Sequence, residues 1–160
     1  TLTQKEIENS NIEVLDLNEC LQTVLRSIGS LIVNSKAVIN IDFFEVETIQ
    51  FNKIYLESIF LNLITNSIKY AKPDSETIIS IYSKKVNGIN QLIVSDTGMG
   101  FDMEVVKDKI FGLHQKFHNH IDSKGIGLYL VYNHVTSLGG HITVESKTNE
   151  GAKFTISFKD

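Results

Sequence analysis

Four residues in the run LNLITNSIKYA carry usable chemistry at a telling spacing: Asn62, Asn66, Lys69 and Tyr70 fall at i, i+4, i+7 and i+8. On a helix of 3.6 residues per turn they share a stripe about 100° wide, with Ile59, Leu63, Ile64 and Ile68 on other faces. An amide carbonyl can coordinate a hard cation such as Mg²⁺, an ammonium can meet a phosphate, and a Tyr face can stack on a base. The same stripe also reads as an ordinary solvated polar face. In SDTGMG, Asp96 follows an apolar run, and Gly98 and Gly100 permit close backbone approach or positive φ. A carboxylate there accepts from an exocyclic amine, or it closes an Asp-Gly turn that holds no ligand. KGIGLYL opens a further helical pattern with Gly125 and Gly127, where free N–H groups and the helix dipole favour an anion.

Other chemistries are less well provided for. All five histidines lie between positions 114 and 141, and His118, His120 and Asp122 are spaced as a metal set would be. No second ligand pair at zinc spacing accompanies them, which favours solvated loop imidazoles. Cys20 sits on the apolar side of a helical stripe and reads as a buried thiol. Neither the Walker pattern nor a strand followed by the dinucleotide fingerprint is present.

The elements that must position these groups follow from periodicity and turn chemistry. Residues 1–15 are polar and aperiodic, and read as a linker or extended lead-in to a domain over 16–160. Asp16 with Glu19 resembles a capping box, and Leu17, Leu21, Val24, Leu25, Ile28 and Leu31 predict one helix to about Asn34. Residues 38–51 read as two strands or a hairpin. Asn52 is the N-cap of a long helix that ends before Pro73. Asn87-Gly88 joins TIISIYSKKV and INQLIVSD as a hairpin, because both turn positions tolerate positive φ. From Thr97 to Lys124 no period is sustained, as in a functional loop. A helix over 125–138 stops at Gly139-Gly140, and HITVES and AKFTISF close the chain as a second hairpin. The predicted class is a two-layer α/β sandwich: a mixed, largely antiparallel sheet covered on one face by helices.

At 160 residues, 42% of them hydrophobic and 21% charged, the chain is of a size for one globular domain with a proper core. A formal charge of −4 without charge runs argues against a nucleic-acid partner and against direct membrane contact. A single cysteine fits a reducing, cytoplasmic compartment. No stretch is long and apolar enough to span a bilayer, and TLTQKEIENS lacks a signal-peptide layout. Because it starts at Thr1 rather than Met, the chain is expected to be a fragment of a longer protein, whose membrane anchoring stays open.

Taken in order, these segments resemble the boxes of sensor histidine kinase ATP-binding domains. FLNLITNSIKYA is similar to the asparagine box, SDTGMGF to the first glycine box and SKGIGLYLVYNHVTSLGG to the second. IFGLHQKF resembles the phenylalanine box between them, and the likeness covers about residues 16–158. It implies a Bergerat-type ATP fold and a cofactor set of ATP and Mg²⁺. Asn66 would hold the metal, with Asn62 and Lys69 completing the catalytic set. Tyr70 would pack near the adenine, Asp96 would accept from its amino group, and Gly98 and Gly100 would shape the base pocket. Gly125, Ile126, Gly127 and Leu128 would line the phosphates with backbone N–H groups, joined by Lys116 and Lys124 as cations.

The resemblance also implies partners: a dimerisation module bearing the phosphoacceptor histidine, and a response regulator downstream. No histidine lies upstream of the asparagine box, so that module is expected outside this chain. Asp122-Ser123-Lys124 replaces the glycine that usually opens the second glycine box, and Lys153 stands where Thr is common. Gyrase, mismatch-repair proteins and the ninety-kilodalton chaperones are similar around the same boxes. They carry Glu at the position of Asn62 as a general base, and an amide cannot take a proton at neutral pH. The alternatives are therefore an ATPase of that kind or a non-catalytic docking module.

Overall fold

The computed structural model describes residues 11–106, 109–112 and 124–159, and of Lys124, Gly125 and Ile126 the backbone alone. His114, Lys116, His118, His120 and Asp122 lie outside the described residues. Five strands form the main sheet in the order β2-β4-β5-β7-β6. They are β2 (Val38–Asp42), β4 (Ile78–Val86), β5 (Ile89–Asp96), β6 (His141–Ser146) and β7 (Ala152–Ser157). The β2–β4 pair is parallel and the other three are antiparallel, as a mixed, largely antiparallel sheet requires. Ile79, Ile81, Leu92, Val94, Phe154 and Ile156 turn inward and are buried. The alternate residues Ser80, Lys84, Gln91 and Thr155 line the other face, as expected where water covers one side.

Helices α1 (Leu17–Ser27), α3 (Lys53–Lys69) and α5 (Lys124–Ser137) make the second layer, with α3 packed between the other two. Short helices α2 (Gly29–Ser35) and α4 (Met103–Val106) complete the set among the described residues. Leu17, Leu21, Leu56, Phe60, Leu63, Val131 and Val135 carry the helical side of one continuous core. No helix among the described residues is long and apolar enough to cross a membrane.

Local signals hold where the chain provides them. Asp16 caps α1 by accepting the Glu19 N–H at 2.8 Å, and Asn87 and Gly88 take φ of 52° and 81° in the β4–β5 turn. Asn52 accepts the Tyr55 N–H at 3.0 Å and is itself buried, so it fixes where β3 (Thr48–Asn52) becomes α3. Asn52→Ala is expected to lower stability by about 1 kcal/mol, read as a lower urea midpoint at unchanged slope.

Two expectations are corrected and one is narrowed to the first of its alternatives. The single helix to Asn34 is two: Ile28 leaves helical geometry at φ −115°, ψ 24°, and the Ser27 hydroxyl competes for the Val24 carbonyl at 2.6 Å. Residues 38–51 contain two strands but no hairpin. The Ser83 hydroxyl both accepts from Val46 N–H and donates to Val46 O, tying their connection to β4. The lead-in ends in a strand, β1 (Ile12–Asp16), which pairs antiparallel with β3 as a separate ribbon and buries only Leu15. With one buried side chain, the strand has no alternation to betray it.

Candidate functional site

The site forms where the C-terminal end of α3 meets the C-terminal end of β5. Tyr70 leaves the helix while its N–H still bonds Asn66 O at 3.1 Å, and its own carbonyl accepts from Met99 N–H at 2.8 Å. A Cβ on Gly98 would come 2.7 Å from that carbonyl, so only glycine lets the strand end pass the helix end this closely. Gly100 follows at φ 68°.

Asp96 stands at the centre. Its Oδ1 accepts from Gly98 N–H at 2.9 Å and from Ala152 N–H at 3.2 Å, and its Oδ2 accepts from the Ser67 hydroxyl at 2.7 Å. Burial pushes the carboxyl above its ordinary value, while these three hydrogen bonds pull it back. A carboxylate has about four acceptor positions, so three donors leave one on Oδ2 for a further N–H. One carboxylate thus closes the Asp-Gly turn through Oδ1 and keeps an acceptor position on Oδ2.

Behind it, the Ser146 hydroxyl accepts from Phe101 N–H at 2.7 Å and donates to Gly151 O at 2.6 Å. Asn149 N–H bonds Met99 O at 2.6 Å, so the loop after β5 is pinned to the β6–β7 turn.

The remaining predicted residues divide. Asn66 and Lys69 are half-buried on the last turns of α3, either side of Ser67 in sequence. Asn62 lies further back, where α3 meets α5. Its amide donates to Ser58 O at 2.8 Å, and its Oδ1 would stand 3.0 Å from a Cβ on Gly127. Lys124, Gly125 and Ile126 form the first turn of α5, whose N–H groups have no carbonyl partner inside the helix.

Two of the predicted residues are buried. Tyr70 is only 4% exposed, with its ring edge-on to Phe101 at 6.0 Å, and its carbonyl is held by Met99 N–H. Leu128 is 1% exposed and lies in the second turn of α5, where its N–H belongs to the helical ladder. Ser67 and Ser146 went unnoticed in the sequence. Ser67 had a signal: it continues Leu56, Phe60 and Leu63 at core spacing, where a hydroxyl needs a partner. Among the described residues no group of three His, Cys, Asp or Glu could hold a metal ion.

A family model described as histidine kinase-, DNA gyrase B- and HSP90-like ATPase matches residues 52–160. The heme sensor protein HssS of Staphylococcus saprophyticus is 31% identical over 145 residues, which cover 91% of this chain and 31% of HssS. The signal transduction histidine-protein kinase ArlS of Staphylococcus haemolyticus is 25% identical over 162 residues, 99% of this chain and 35% of ArlS. The chain spans about a third of the length of the curated relatives it matches. The catalytic domain of histidine kinase ThkA shares the fold at a TM-score of 0.77 and 19% identity, covering 92% of this chain and 96% of that one. The chain belongs to the histidine kinase-, DNA gyrase B- and HSP90-like ATPase family. Within it, the matched relatives place this chain with the ATP-binding catalytic domains of sensor histidine kinases.

Proposed function

We propose that this domain binds Mg²⁺-ATP with the adenine amino group on Asp96, and presents the γ-phosphoryl group to a histidine on a separate dimerisation module. The phosphorus–oxygen bond to ADP breaks as a phosphorus–nitrogen bond to the imidazole forms. A response regulator would then receive the phosphoryl group. The observation that carries this reading is the Asp96 carboxylate, half-buried and pinned by three donors with one acceptor position left over.

The residues fit the nucleotide and its metal. Asn66, half-buried near the end of α3, offers a neutral carbonyl suited to Mg²⁺, and Lys69 three residues on offers a cation to phosphate oxygens. Bound Mg²⁺ would supply charge neutralisation on the phosphates. The N–H groups of the first turn of α5, unpaired within the helix, suit the same anion. Asn62, an amide donating to Ser58, offers no general base for water, which supports transfer over hydrolysis.

Calorimetric titration with ATP, with and without Mg²⁺, tests the reading. Asn66→Ala is expected to weaken binding about tenfold with Mg²⁺ and to leave the metal-free affinity unchanged. Equal losses in both series would contradict a metal role. Labelled ATP alone is expected to leave the chain unlabelled, and a dimerisation module supplied in trans to become labelled on its histidine.

A further inference from the structure

Ser67 is 3% exposed, on the face of α3 turned to the sheet, and its hydroxyl donates to Asp96 Oδ2 at 2.7 Å. The groups that face the carboxylate are this hydroxyl from α3, Gly98 N–H from the loop after β5 and Ala152 N–H from β7, and none of them is charged. The two N–H groups fix Oδ1. Among the described residues only the hydroxyl addresses Oδ2, the oxygen with an acceptor position to spare. We propose that Ser67 is a positioning residue for base selection: it holds Asp96 Oδ2 as an outward acceptor, so the site takes 6-aminopurine nucleotides over 6-oxopurine ones. This rests on the nucleotide reading above.

The physical argument concerns where a proton would sit. Without the hydroxyl, Oδ2 is a desolvated oxygen with no donor from the protein, and burial favours its protonation. A protonated Oδ2 donates instead of accepting. It then welcomes a 6-oxo group and opposes a 6-amino group, inverting the preference. With the hydroxyl in place, Oδ2 meets an amino group as acceptor to donor and a 6-oxo group as acceptor to acceptor.

The test is calorimetric affinity for ATP and for GTP in the wild type, Ser67→Ala and Ser67→Thr, repeated from neutral to acid pH. The wild type is expected to prefer ATP. Ser67→Ala is expected to lower the ATP-to-GTP ratio about tenfold and to move the acid loss of ATP affinity to higher pH. Ser67→Thr, which keeps the hydroxyl, is expected to keep the wild-type ratio. An unchanged ratio in Ser67→Ala, or an equal loss for both nucleotides, overturns the proposal. A wild type that binds neither nucleotide overturns the nucleotide reading itself, and this inference with it.

Discussion

Asp96→Asn is expected to weaken ATP binding by roughly 10- to 100-fold, the worth of a hydrogen bond to a charged group. The amide keeps the size of the carboxyl. Its carbonyl stays on Gly98 and Ala152 N–H, because those two donors tolerate no other orientation. The NH₂ group then replaces Oδ2 and faces the adenine amine donor to donor. The Ser67 hydroxyl can turn to accept, so the fold survives while recognition fails.

The same residue sets a pH dependence whose sign can be worked out. Burial raises the folded carboxyl above 3.8, so ATP affinity is full above that raised value and falls as pH drops through it. Stability runs the other way. A raised folded value contributes stability that is present below the unfolded value and lost as pH rises through the folded one. Asp96→Asn is expected to abolish both effects, checked by calorimetry and thermal melts across pH 3 to 7.

Gly151→Ala is expected to be the most damaging added methyl among the described glycines. Gly151 takes φ 86°, and a Cβ there would overlap the Asp96 carbonyl. Left-handed backbone costs a non-glycine residue roughly 1–2 kcal/mol, and overlap in a packed interior about 1–3 kcal/mol more. A loss of about 3 kcal/mol lowers the melting temperature by roughly 10 °C. Relief of the overlap would also shift Ala152 N–H away from Asp96 Oδ1, so ATP affinity is expected to fall with stability. Gly139→Ala, also at positive φ, would meet only the flexible Lys159 side chain, and serves as the control that costs stability without touching ATP.

What could be read in the sequence was what short-range chemistry dictates. The caps at Asp16 and Asn52, the Asn87-Gly88 turn and the stop at Gly139-Gly140 each depend on residues within five positions of each other. The unread parts depend on distant partners. Nothing near Ile12 says that it will lie opposite Asn52, and nothing near Val38 says that its neighbour is Ile78 rather than β3. The site shows the same division. Asp96 and its glycines are local, whereas the Ser67 bond spans 29 residues. The burial of Tyr70 was equally illegible, because spacing cannot tell an amphipathic ring turned outward from one turned onto Phe101.

The bond from Ala152 N–H to Asp96 joins positions 56 apart in the chain. On the ribosome, α3 and β5 are complete while β7 is still unmade. A nascent chain at that stage carries Asn66, Lys69 and Asp96 without one of the two N–H donors that fix Oδ1. If Asp96 receives the base as proposed, nucleotide is expected to bind only once β7 is in place, too late to template the early steps of folding.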